Sequence, residues 1–166
     1  MRIALSGSQG VGKSTLLRAL DLPGHKKIKE VARQLIAELG KLPQNMSREE
    51  FFNFQMEIAR RQLAKETGNF ISDRAIYDTL AYAVGLPGYE KIENFVTAHA
   101  SAYDYIFYLP IEFPLKLDGV RKNDETYRKL IDWRLRLLYR RFNIEFIEIG
   151  GSLKERVAKI KRMVKL

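Results

Sequence analysis

Gly7-Ser8-Gln9-Gly10-Val11-Gly12-Lys13-Ser14 follows directly on the apolar run Arg2–Ser6 and leads into Lys13–Leu20, whose apolar residues recur at helical spacing. The stretch fits G-x-x-x-x-G-K-[ST] in the strand–loop–helix setting that this pattern needs. Its glycines let backbone N–H groups turn inward on a polyphosphate. The start of the helix adds the positive end of its dipole, and Lys13 brings a mobile charge to the β and γ oxygens. Gly7, Ser8, Gln9, Gly10, Val11, Gly12, Lys13, Ser14 and Thr15 are therefore candidates for holding the phosphates of ATP, with the Ser14 hydroxyl a ligand for Mg2+. Glycine-rich turns also join strands to helices for structural reasons alone, but such a turn does not demand Lys-Ser after its last glycine.

Outward from this loop, short apolar runs alternate with amphipathic stretches, the pattern of βαβ units wound into a parallel sheet. Strands are expected at Arg2–Ser6, Lys27–Val31, Asn69–Ser72, Tyr105–Leu109 and Glu145–Ile149. Helices are expected at Lys13–Leu20, Ala32–Leu39, from Ser47 with Glu50 completing a capping box, at Ile76–Val84, Lys91–Ala98 and Glu125–Arg141, and from an N-cap at Ser152. Gly85-Leu86-Pro87-Gly88 reads as a loop. The expected fold class is α/β: a doubly wound parallel sheet of about five strands with helices on both faces and a helical lid near residues 111–128. One domain over residues 1–166 suits a chain of this length.

The net charge of +9 and the pI of 9.7 describe a surface field that attracts anions, ATP and nucleic acid among them. Nothing beyond that charge supports nucleic acid as a partner, and solvated helix faces account for Lys and Arg equally well. With no cysteine, disulfides, thiolate metal sites and thiol nucleophiles are excluded, and His25 with His99 makes a poor metal site. No stretch approaches the ~18 apolar residues of a membrane span, and Met1–Leu5 is too short for a leader, so the expected location is the cytoplasm.

Phe70-Ile71-Ser72-Asp73-Arg74 ends the third expected strand, which puts Asp73 at the carboxyl edge of a parallel sheet, where such sheets bind ligands. A carboxylate there can hold magnesium or take a proton from an acceptor hydroxyl, and Arg74 can neutralise a phosphate. The other reading is an N-cap aspartate beside a surface arginine.

Asp73-Arg74 followed by Asp78-Thr79-Leu80-Ala81-Tyr82 resembles the Asp-Arg-x-x-x-[Ser/Asp]-[Ser/Thr]-x-Ala-Tyr stretch of thymidylate kinases, and the Asp-Arg pair is shared with deoxynucleoside kinases. Glu30-Val31-Ala32-Arg33 and Asp118-Gly119-Val120-Arg121 more closely resemble the P-loop family that includes bacterial nicotinamide riboside kinase domains. The resemblance extends over nearly the whole chain. It implies an acceptor-side carboxylate at Glu30 with Arg33 one helical turn on, and a lid that delivers Arg121 to the transferred phosphoryl group. It also implies an acceptor-facing helix carrying Phe54, Gln55 and Arg60. For Phe54 the alternative is a place in the core; for Lys122 and Arg128 it is a solvated basic helix, which is the reading preferred for those two. Trp133, Tyr139 and Phe142 read as packing residues. The Glu-Pro-Gly loop of thymidylate kinases has no counterpart, and Ala75 stands where they carry an aromatic residue.

The expectation is a kinase for a nucleoside, a nucleoside monophosphate or a similar small acceptor, with Lys13, Asp73, Arg74, Arg121 and Glu30 as catalytic residues. Whether Asp73 or Glu30 is the base stays open. The rivals are a P-loop ATPase that drives a conformational change in a partner and a nucleic-acid end kinase. An Asn-Lys-x-Asp guanine-reading motif is not evident. Acceptor identity and oligomeric state are not legible.

Overall fold

The computed structural model describes residues 1–100, 103–115 and 124–164, built around one parallel sheet. Strand β1 (Arg2–Ser6) lies at its centre, between β3 (Phe70–Asp73) and β4 (Tyr105–Tyr108). Beyond β3 is β2 (Lys26–Ile28) and beyond β4 is β5 (Ile147–Glu148), giving the order β2-β3-β1-β4-β5 with every pairing parallel. The chain moves to one side of β1 for β2 and β3 and crosses to the other for β4 and β5. That change of side opens a crevice at the carboxyl end of β1, where the glycine-rich loop begins.

Side chains alternate across a strand, and the alternation divides the core in two. Ile3 and Leu5 of β1, with Phe107 and Leu109, face Leu16 and Leu17 of α1 (Lys13–Ala19) and Ile160 of α7 (Leu153–Met163). Ala4, with Ile106 and Tyr108, faces Leu80 of α4 (Asp78–Ala83), Ile92 of α5 (Tyr89–His99) and Ile131, Leu135 and Leu138 of α6 (Glu125–Arg141). A smaller cluster joins Val31 and Leu35 of α2 (Val31–Leu39) to Phe54 and Ile58 of α3 (Arg48–Lys65). The expected helices on both faces of the sheet are therefore present.

Several boundaries differ from expectation for identifiable reasons. The ladder of β2 ends where Ile28 pairs with Ser72, so Val31 is no strand residue; Glu30 takes the N-cap position of α2. Helix α4 starts at Asp78 rather than Ile76 because the residues before it close tighter turns, with Asp78 N–H donating to Ala75 O at 3.0 Å and Thr79 N–H to Ile76 O at 3.2 Å. Edge strand β5 keeps only Ile147–Glu148, although the Ile149 N–H still reaches Tyr108 O. Ser47 and Glu50 form the expected capping box, and Ser152 forms a second with Glu155. Among the described residues, no helix is long and apolar enough to cross a membrane.

Candidate active site

The loop after β1 needs glycine for a local reason. Gly7 has φ 131, and a Cβ there would lie 2.5 Å from Leu109 O, so no side chain fits between β1 and β4. Lys13 folds back over the loop, donating from Nζ to Gly7 O and Ser8 O at 2.7 Å each. It is buried rather than extended into solvent, its charge held over the loop.

Two further cations grip the same loop from outside, and one of them corrects the sequence reading. Arg128, expected on a solvated face, is fully buried: Nε donates to Gln9 O at 2.9 Å, Nη2 to Gly10 O at 3.2 Å and Nη1 to Phe113 O at 2.7 Å. Arg156 of α7 donates from Nη1 to Val11 O at 2.7 Å and pairs with Glu112 at 2.6 Å. Three consecutive loop carbonyls are thus capped by guanidinium groups, and a loop neutralised in this way repels a polyphosphate less. Helical periodicity could not reveal this. It sorts residues by face, whereas Arg128 is buried because the loop lies against the start of α6.

Across the crevice, Leu5 pairs with Asp73, so the carboxyl ends of β1 and β3 lie side by side. The Ser14 hydroxyl donates to Asp73 Oδ2, while the buried Asp73 Oδ1 has no hydrogen-bond partner among the described residues. A hydroxyl and one carboxylate with unused acceptor capacity suit magnesium, which takes few protein oxygens and completes its shell from phosphates and water. Among the described residues no cluster of three or more His, Cys, Asp or Glu offers an all-protein cage.

Beside Asp73, Arg74 has φ 101, a backbone conformation that costs a non-glycine residue of order 1–3 kcal/mol and persists only where its surroundings enforce it. Here the Arg74 N–H donates to Leu5 O at 2.9 Å, and Arg74 O accepts from Ser72 Oγ at 2.7 Å and Gln62 Nε2 at 3.1 Å. The turn aims the guanidinium at Glu30, with Nη2 2.9 Å from Oε1, and over the ring of Tyr82 at 4.6 Å. Burial opposes the charge on Arg74, but Tyr82, Glu30, Asp78 and Asp73 together hold its pKa above the ordinary arginine value. Arg33 reaches the other oxygen of Glu30, Nε to Oε2 at 3.1 Å, so one buried carboxylate gathers two arginines.

Glu30 and Arg74 line a cavity of about 340 Å³ that reaches the glycine-rich loop at Gln9. Phe54 and Gln55 line it, with Phe51, Ile36, Tyr82 and Tyr127. Arg60 is not brought there; it is exposed and lines a separate depression on the far side of α3. Arg121 and Lys122 lie outside the described residues, as does most of the expected lid.

One of the three packing assignments also changes. Trp133 is 60% exposed. Tyr139 does pack, but its hydroxyl is shared between Ser6 Oγ and Asp78 Oδ1 at 2.7 Å each, and Ser6 also donates to Asp78 at 2.8 Å. Phe142 packs against Tyr77, ring centroids 6.3 Å apart. Sequence reasoning assigned no role to Asp78, though it stands in the quoted stretch after Asp73-Arg74; burial raises its pKa against the pull of Arg74, Tyr139, Lys13 and Ser6.

The model of a family described as an AAA domain matches residues 2–156. No curated protein matches the sequence. Among solved structures, a NadR protein in complex with NR superposes with TM-score 0.82 at 16% identity, over 99% of this chain and 51% of that one. The chain thus spans about half the length of that relative. Deoxyadenosine kinase from M. mycoides gives TM-score 0.75 at 16% identity, covering 99% of this chain and 98% of that one. Thymidylate kinase from Ehrlichia chaffeensis gives 0.69 at 15%, with coverage of 99% and 98%. At these identities the likeness is one of fold, that of P-loop nucleoside and nucleotide kinases.

Proposed function

The chain belongs to this AAA domain family, and from its P-loop kinase fold we propose that it transfers the terminal phosphoryl group of ATP to the hydroxyl of a nucleoside-like acceptor. The observation that carries this reading is the buried Glu30–Arg74 pair facing a largely apolar cleft at the edge of the phosphate loop. A protein that only hydrolysed ATP would have no need of such a cleft.

In this reading Lys13 moves from the loop carbonyls to the β and γ oxygens, with the backbone of Gly7–Thr15 around the phosphates. Ser14 and Asp73 hold magnesium, which when bound neutralises phosphate charge. With Asp73 assigned to magnesium, Glu30 is the carboxylate left at the acceptor cavity to serve as base. Glu30 takes the hydroxyl proton as the acceptor oxygen bonds to the γ phosphorus and the bond to the ADP oxygen breaks. Arg74, whose Nη1 has no partner among the described residues, steadies the charge on the transferred group. Arg121, from the lid, is proposed to do the same. Phe54 stacks on the acceptor ring and Gln55 reads its edge, while Arg33 orients Glu30.

The test is ATP consumption with magnesium across nucleosides, nucleoside monophosphates and nicotinamide riboside, each against an acceptor-free control. Stimulation by a nucleoside, with its monophosphate seen by mass, is expected. Hydrolysis that no acceptor stimulates would replace the proposal with an ATPase.

A further inference from the structure

Behind the Arg74 turn lies a carboxylate that the proposed chemistry does not use. Glu66 is the C-cap of α3 and only 3% exposed. Its Oε1 accepts from Gln62 Nε2 at 2.7 Å and from the Tyr103 hydroxyl at 2.8 Å; its Oε2 accepts from the same hydroxyl at 2.9 Å. Both partners continue to the turn. Gln62 Nε2 also donates to Arg74 O at 3.1 Å, and the Tyr103 hydroxyl accepts the Ile76 N–H at 2.8 Å. The carbonyl of the positive-φ residue and the N–H two residues after it are thus tied, through one amide and one phenol, to a single carboxyl group.

The placement is costly. No described cation forms an ion pair with Glu66, and the end of a helix presents partial negative charge to it. Burial pushes its pKa up to about 7, against the hydrogen bonds from Gln62 and Tyr103 and the attraction of Arg2; Asp78 adds to the rise. The charged and titratable groups around it are Arg2 on β1, Tyr77 and Asp78 at the start of α4, and Tyr103 before β4. Lys26 on β2 bonds to nearby Thr67, and Lys65 is turned away to Gln34. A glutamine would sit here more cheaply. A carboxylate can accept from both partners at once without bringing a hydrogen of its own.

We propose that Glu66 is a positioning residue: by holding Gln62 and Tyr103 it fixes the Arg74 carbonyl and the Ile76 amide, and so keeps the Arg74 guanidinium aimed at Glu30 and the acceptor cavity. When Glu66 is protonated at Oε2, the Tyr103 contact to that oxygen is lost as an accepted bond and both partners are left to a neutral Oε1, so the charge-assisted hold on the Arg74 turn weakens. The kinetic consequence rests on the phosphotransferase reading; the geometric one does not.

Two measurements on the full chain separate them. Turnover is followed from pH 5.5 to 8.5 in the wild type, Glu66→Gln and Tyr103→Phe, and the Arg74 Nε–H resonance is followed by NMR over the same range. The wild type should show kcat rising through neutral pH. Glu66→Gln should lose that step and about ten- to hundredfold in kcat with KM for ATP nearly unchanged, since a misaimed group costs rate before it costs binding. Tyr103→Phe, which keeps the ring, should lose part of the rate. The Arg74 resonance should titrate near neutral pH in the wild type and not in Glu66→Gln. A Glu66→Gln enzyme with wild-type kcat and pH profile overturns the proposal, as does an Arg74 resonance indifferent to the substitution. If no acceptor stimulates turnover, the phosphotransferase reading falls and the resonance alone decides for or against Glu66.

Discussion

Replacing Arg128 by methionine should loosen the phosphate loop and destabilise the whole domain, although the residue lies 115 positions along the chain from Lys13. Its guanidinium donates to Gln9 O, Gly10 O and Phe113 O from a fully buried position. Hydrogen bonds to a charged group contribute ~1.5–3 kcal/mol each, and part of that is returned when the charge no longer has to be desolvated. A net loss of about 3–4 kcal/mol follows, equivalent to a fall in Tm of roughly 6–16 °C for a chain of this size. Arg128→Lys keeps the charge but not the planar fork, so one ammonium cannot span three carbonyls and should recover less than half of the loss. Urea unfolding by circular dichroism gives the stability, and KM for ATP, expected to rise about tenfold, reports the loop. An Arg128→Met protein within about 1 kcal/mol of the wild type, with unchanged KM, would refute the claim that this arginine shapes the loop.

Lys13→Ala should cut acceptor-dependent turnover by about 10²–10³ or more while the far-ultraviolet circular dichroism stays that of the wild type; undiminished turnover would sink the loop assignment. Glu66 has a folded pKa near 7 against an ordinary value of 4.5, so its contribution to stability is fully present below 4.5 and is lost as pH rises through 7, by up to roughly 3 kcal/mol. Urea unfolding at pH 5 and 8.5 should show that slope in the wild type and a flatter one in Glu66→Gln. Trp133→Ala should change stability by no more than about 0.5 kcal/mol, because the ring is 60% exposed; a loss of several kcal/mol would restore the packing assignment.

What the sequence determined by itself was whatever depends on neighbours along the chain. The glycine-rich loop is legible because a tight strand-to-helix turn and a helix start are local events; all seven α-helices and five strands among the described residues were anticipated from periodicity and caps, though not the short 3-10 turn Pro43–Asn45. Boundaries shifted by one to three residues at several ends, as where tight turns over residues 75–77 precede α4 and where the β2 ladder stops at Ile28. The tertiary structure decided which polar side chains are buried and what they hold. Arg128, Arg156 and Glu66 look like solvated helix residues in the sequence, since charge at a helical position carries no record of what packs against it. Their roles arise because the fold brings α6 and α7 against one loop, and the end of α3 against another. Trp133 and Arg60 show the reverse: residue type favoured a buried ring and the family resemblance a cavity-lining cation, and neither side chain is placed there. Burial is a property of the assembled chain, and a desolvated charge takes its role from the partners that surround it.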